Sequence, residues 1–353
     1  MPSPVRFFAV FASLLSLGFP ASAFAQVQYK IETREVQTVT GTLVLSTNMP
    51  DLRAKEWIAF AAVAPELPGQ RKCKTSLDLP GAETAKDKSD LGRSLLMARV
   101  PAKTDDLKSA LTMKIHYTAT LYSRELAVAG DGEAANVAPL TAGERKAALA
   151  EQGDIDFNGE GFQKWLKDAG YTKRKTEAEI PFAKRVFLGI RDTHTYEYTP
   201  AMDRKASTVC DGGKSDCGGL SILYAAVLRA NGIPCRTLFG RWATSAKADE
   251  KIGDSAYYQW HVKAEFYAAK VGWVPVDLAV SILHDKSSDG LANFGHDPGD
   301  FLTQHIDANF QVDTVALGKQ SVHNLQEPAF WVSGTGKTTK RTDTESWVVQ
   351  VKK

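Results

Sequence analysis

No two cysteines of this chain are spaced Cys-x-x-Cys, and no two histidines His-x-x-x-His. Structural zinc depends on such local ligand pairs, so no metal site is expected, and no motif for an organic cofactor is legible. Charge imbalance is missing too: 43 basic residues face 41 acidic ones, a formal net charge of +2. A nucleic-acid-binding protein carries a basic excess, so nucleic acid is not an expected partner. The short run Lys173-Arg174-Lys175 reads as solvated surface. Beyond the first residues no apolar stretch approaches the ~20 residues that a membrane crossing needs. Internal repeats and long low-complexity tracts are absent as well.

What remains is ordinary globular composition, 43% hydrophobic and 24% charged over 353 residues, enough for two domains or one large one. The N-terminus differs. Arg6 precedes the apolar run Phe7 to Leu15, Gly18 and Pro20 break the apolar character after it, and Ala23-Phe24-Ala25 places small residues two apart. This pattern predicts a secretory signal over residues 1–25, cut after Ala25, and a bacterial protein that is periplasmic or secreted.

Of the four cysteines, Cys73, Cys210, Cys217 and Cys235, one stands in a distinctive setting. In Ser215-Asp216-Cys217-Gly218-Gly219 the thiol falls at the first turn of a predicted helix. Leu220, Leu223, Tyr224, Val227 and Leu228 recur at helical spacing, and Asn231-Gly232-Ile233-Pro234 stops them. The glycines of 211–213 and 218–219 are expected to let the backbone bend around the sulfur. Helix amides and the dipole at that end favour a thiolate, the form that attacks carbonyls. A lone cysteine is more often a small buried hydrophobe, so the reading needs a base.

Residues 259–267 alternate like a half-buried strand, with Val262, Ala264 and Phe266 on the apolar face. After a break at Ala268-Ala269-Lys270, Val271-Gly272-Trp273-Val274-Pro275-Val276-Asp277 reads as the returning strand. With that loop Tyr267 faces Val271, and counting outward sets His261 directly opposite Asp277. Cross-strand partners have Cβ atoms ~5 Å apart on one face, so the carboxylate can hold the imidazole and leave its other nitrogen for a thiol. The combination is a nucleophile, a base and an orienting acid.

Asp216-Cys217, the helix end Leu228-Arg229-Ala230-Asn231-Gly232-Ile233-Pro234-Cys235-Arg236 and the pair His261…Gly272-Trp273-Val274-Pro275-Val276-Asp277 occur in an order that resembles the transglutaminase-like superfamily. The resemblance covers roughly residues 180–285. It implies a papain-like thiol fold in which Cys217 is the nucleophile, His261 the base and Asp277 its orienting acid. Two positions depart from the pattern: Lys263 stands where many members carry Trp, and Cys235 replaces the commoner Ala. The family holds amide-crosslinking enzymes, peptidases and inactive relatives. The expected activity is therefore attack on an amide or peptide bond through a thioacyl intermediate, ending in hydrolysis or transamidation. The expected partner is a protein or peptide substrate, with envelope proteins and peptidoglycan stems in view. The rival expectation is a catalytically inactive binding or scaffold module of the cell envelope. Trp260 is a candidate second oxyanion donor.

The expected fold class is α+β, a papain-like thiol domain preceded by an antiparallel β-sandwich. Short alternating runs such as 27–32, 36–45, 94–100 and 111–121 fill residues 26–135, the sandwich. Gly130 to Asn136 is a linker, and 136–310 is the thiol domain. There Thr141-Ala142-Gly143-Glu144 opens a helix to Ala150, Phe162, Trp165, Leu166 and Ala169 form a second, and Pro181 starts a third. Residues 311–353 form a C-terminal extension in which Trp347 to Val351 is a final strand returning to a sheet. Asp285 to Gly290 imitates half of a calcium loop, but His296 occupies the position where a Glu is needed, so a surface turn is expected. A disulfide between Cys210 and Cys235, which flank the cysteine helix, is the preferred pairing.

Overall fold

Period-two burial runs through the second half of the first long strand, Tyr29–Asn48, where Val39, Leu43 and Leu45 face inward. The computed structural model describes residues 27–87, 91, 93–130, 137–314 and 318–352. The expected signal 1–25 lies outside them, as does most of the expected linker. Residues 27–32 and 36–45, read as separate strands, form one strand whose register slips between Glu35 and Gln37. After the slip Val39, Leu43 and Leu45 lie in the sandwich core, whereas Tyr29 and Ile31 before it pack against the core of the thiol domain.

Tyr29–Asn48 pairs antiparallel with Ala110–Val128, which in turn pairs with Gln70–Leu77 and the short His296–Asp297. A second antiparallel sheet is ordered Ala329–Gly336, Leu52–Ala62, Ser94–Pro101, Glu83–Lys86. Trp57, Met113, Tyr117, Leu121 and Trp347 fill the space between the sheets. The residues after 311 do not stand apart as an extension. Ala329–Gly336 joins the second sheet, and Thr342–Lys352 pairs with Tyr29–Asn48, with Leu43 opposite Trp347. Gly41 makes this possible: a Cβ there would lie 2.0 Å from the Trp347 ring. The gain for the chain is that two long first-domain strands lose their open edges.

The thiol domain is built on a third antiparallel sheet, ordered Gly272–Val276, Trp260–Ala268, Cys235–Trp242, Phe301–Ile306. Against it lies the cysteine helix, Cys217–Ala230, buried from Gly218 to Arg229. A helix apolar on all sides belongs inside a domain. Glu179–Thr193 packs on its outer side, where the Tyr224 hydroxyl donates to the Ala183 carbonyl at 3.2 Å. Ahead of them come Ala142–Ala147, opened by the capping box of Thr141 and Glu144 and ending before Ala150, and Glu160–Asp168.

Polar contacts join the sandwich to the third sheet. Buried Arg124 pairs with Glu265 at 2.8 Å and Asp297 at 3.2 Å. Gln70 donates to the Thr303 carbonyl and accepts from its amide at 2.9 and 2.8 Å. Trp347 Nε1 donates to the Trp242 carbonyl at 3.0 Å. No helix among the described residues is long and apolar enough to cross a membrane.

Candidate active site

Asp216 caps the cysteine helix: its Oδ1 accepts from the Gly219 amide at 3.1 Å, and Cys217 is the first helical residue. Arg204 holds the cap, with Nε and Nη2 2.9 and 2.6 Å from Asp216 Oδ2. The glycines act differently from the expectation. Gly213, at φ 63°, ends the preceding short helix in a left-handed turn. Gly218 and Gly219 are helical and serve close approach. A Cβ on Gly219 would sit 2.0 Å from Ser215 Oγ, and one on Gly218 would press on Arg204 at 3.2 Å. The helix stops as predicted, at Asn231 with Gly232 at φ 76°.

The helix is fastened to the histidine strand, Trp260–Ala268, at its start. Ser221 Oγ, one turn after Cys217, donates to the Val262 carbonyl at 3.1 Å. The Val262 backbone amide lies near enough to the Cys217 sulfur to pull its thiol pKa down. That amide belongs to the residue following His261. Ser221 escapes sequence reasoning because a serine inside an apolar helix carries no sign of which backbone it will meet.

His261 and Asp277 are joined, Nε2 to Oδ2 at 2.7 Å. The hairpin that joins them differs from the expected one. The loop is Ala269-Lys270-Val271, and Tyr267 pairs with Trp273 rather than Val271. Lys270 at φ 66° and Gly272 at φ 98° turn the chain one residue later than expected. The register moves by two, which preserves the face, so Asp277 reaches His261 diagonally. Trp242 stacks on the imidazole, ring centroids 4.4 Å apart, and Phe301 meets it edge-on. Asp277 also caps the helix Leu278–His284 by accepting from the Val280 amide at 3.0 Å. Burial opposes ionisation of Asp277, but His261, Lys263 and that amide hold its carboxyl below the usual range.

The sulfur's electrostatics run against the expectation of a standing thiolate. Burial pushes the Cys217 thiol well up, and the adjacent Asp216 carboxylate adds to it; the Val262 amide and Arg204 pull the other way. The helix-end amide on which the expectation relied is already occupied by Asp216. The balance of these pushes favours the neutral thiol over the thiolate.

Cys217, itself partly exposed, opens on a cavity of about 300 Å³. Tyr196, Tyr198, Tyr257 and Trp260 line it together with a second group, His323, Asn324, Gln326 and Glu327. The second group was not anticipated, because it comes from the chain beyond residue 311. Trp260 Nε1 is buried without a hydrogen-bond partner among the described residues.

The other cysteines form no bridge: Cys73, Cys210 and Cys235 are all free, which corrects the expected Cys210–Cys235 disulfide. Cys210 lies on the short helix Ala206–Gly212 and donates to the Ser207 carbonyl, whereas Cys235 starts a strand in the core. Lys263, the departure from Trp, is buried, pairs with Asp297 at 3.4 Å and lies over the Trp242 and Phe301 rings. Asp285, from the calcium-like stretch, spends its carboxylate on the Ser287 and Ala292 amides. His116 is a strand residue bonded to Thr42. Among the described residues no group of His, Cys, Asp and Glu is arranged to hold a metal ion.

Residues 168–278 match the family model of the transglutaminase-like superfamily, and Cys217, His261 and Asp277 all fall inside that span. An uncharacterized protein of Haemophilus influenzae is 35% identical over 78 residues, 19% of this chain and 21% of that protein. The chain thus spans about a fifth of the length of this curated relative. A candidate cysteine protease from Cytophaga hutchinsonii superposes on 91% of this chain and 100% of its own, with TM-score 0.52 and 12% identity, a likeness of fold. The periplasmic domain of TgpA from Pseudomonas aeruginosa covers 72% of this chain and 88% of its own at 15% identity, with TM-score 0.32.

Proposed function

From the transglutaminase-like core at residues 168–278, we propose that this protein is a cysteine-dependent enzyme acting on amide or peptide bonds. The observation that carries this reading is the His261–Asp277 pair at 2.7 Å, with Val262, the residue after His261, lining the same cavity as Cys217. Asp277 holds Nε2, so Nδ1 is the nitrogen that takes the thiol proton. The sulfur then attacks the substrate carbonyl carbon, and the resulting oxyanion is met by the Cys217 backbone N–H and by Trp260 Nε1. Collapse expels the amine, which receives its proton from His261, and leaves a thioacyl enzyme. Water releases an acid from it; an amine releases a new amide. The thiol is pushed up, and His261 is the general base that takes its proton.

The same push supports one rival, a module that keeps the fold without turnover. Iodoacetamide separates them: Cys217 alkylation near neutral pH is expected to slow at least tenfold, a general-base effect, in His261→Ala. Equal rates in both proteins would leave only the binding module. Mass spectrometry of envelope extracts, with and without Cys217→Ala, reads the product as hydrolysed or cross-linked amide. We place the protein in the periplasm or outside the cell, on the signal expected at residues 1–25, with a protein or peptide as its substrate.

A further inference from the structure

The cavity wall contributed by the late chain is also tied to the catalytic strand. Gln326, 9% exposed, donates from one Nε2 to two carbonyls, Gly240 at 2.8 Å and His261 at 2.9 Å. Gly240 and His261 face each other in the ladder, so a single carboxamide bridges both strands at the level of the imidazole. Gln326 is itself fixed. Its backbone carbonyl accepts from Arg241 Nη2 at 2.7 Å, and Arg241 Nη1 reaches the Tyr258 carbonyl at 2.8 Å and Glu345 at 2.5 Å. The Leu325 amide donates to His305 Nε2 at 3.1 Å, and the Leu325 side chain is buried in a core of the sandwich. His323, Asn324 and Glu327 on either side of this anchor face the cavity.

We propose that Gln326 is a positioning residue that sets the backbone of His261, and that His323 and Glu327 beside it form the substrate-selecting wall of the cleft. The inference rests on the reading of Cys217 and His261 as the reacting pair. The segment lies outside residues 168–278, so the family core alone does not carry it. The physical ground is that a buried donor shared by two carbonyls restrains the strand from which the imidazole projects. Small displacements of a base relative to its thiol cost rate steeply.

Gln326→Met keeps the length and removes both donors. It is compared with the wild type, with His261→Ala and with the double variant, by the rate of Cys217 alkylation with iodoacetamide across pH and by thermal melting. The expected result is an about tenfold loss of rate with His261 present and no loss without it, the signature of coupled residues. General loosening would instead expose the sulfur and speed alkylation in both backgrounds, which overturns the positioning role. Should Gln326→Met fail to melt cooperatively, Gln326→Asn, one methylene shorter, supplies the same comparison. For the wall, His323→Ala and Glu327→Gln are tested with benzyloxycarbonyl-Phe-Ala-fluoromethyl ketone. The ratio of its rate to that of iodoacetamide should change at least threefold, about 0.65 kcal/mol by RT ln 3; an unchanged ratio overturns the wall. If His261→Ala does not slow iodoacetamide, the catalytic pair itself has failed, and the positioning role with it.

Discussion

Asp277 holds the ring of His261 from a diagonal position: the ladder sets Ala264 opposite Val276, yet Oδ2 lies 2.7 Å from Nε2. The same carboxylate caps the next helix through the Val280 amide. These two roles separate by substitution. Asp277→Asn keeps a capping side chain and loses the charge, so alkylation of Cys217 is expected to fall by about 100-fold with little change in melting. Asp277→Ala should lose the rate and also about 1 kcal/mol of stability, the usual cost of a missing cap. Equal melting of both variants would show that the cap contributes nothing.

Asp216 and Arg204 act on the sulfur with opposite signs, Asp216 raising the thiol and Arg204 lowering it. In Asp216→Asn the carboxylate is gone and Arg204 is unbalanced, so the pH profile of Cys217 alkylation should move to lower pH. Arg204→Met should move it to higher pH. Profiles shifted in one common direction would refute this account of the helix start.

Arg124 stands between two buried carboxylates, Glu265 and Asp297, and joins the sandwich to the third sheet. Removing one partner of a buried pair leaves uncompensated charge and costs about 3–5 kcal/mol. Arg124→Met is therefore expected to lower the urea midpoint sharply. A midpoint within the error of the wild type would mean that the two carboxylates find other compensation.

Asp297 supplies the acid limb of stability. Burial opposes its ionisation, but Lys263, Arg124 and the Gly299 amide prevail and hold its carboxyl at about 2. Its unfolded value is ~3.9, so this stabilisation is complete above that pH and is lost as pH falls from about 4 toward 2. The size is about 2–3 kcal/mol, at ~1.4 kcal/mol for each unit of difference. Urea unfolding of Asp297→Asn should show a shallower loss over that window than the wild type, at lower stability near neutrality.

Much of the candidate site is visible in local pattern. Asp216-Cys217 before a helical stripe marks the thiol, because capping and periodicity are properties of neighbouring residues. Strand alternation sets His261 and Asp277 on one face but with the wrong partner, and the error is harmless: a shift of two residues preserves the face, whereas a shift of one would have destroyed it. The turn is misplaced because a positive φ at a lysine, Lys270, is not marked by residue type.

The sequence alone determined the cysteine at a helix start, a histidine and an aspartate on one face of a hairpin, and the run of first-domain strands, each written within a few neighbouring residues. Tertiary structure decided the rest. It returned the last strands, Ala329–Gly336 and Thr342–Lys352, to the sandwich, and set His323, Asn324, Gln326 and Glu327 against the cleft. It also set the direction in which the sulfur's pKa is pushed, through how much protein surrounds it and the charges brought near by packing. Contacts between residues hundreds of positions apart have no period to read, and burial is a property of the folded chain.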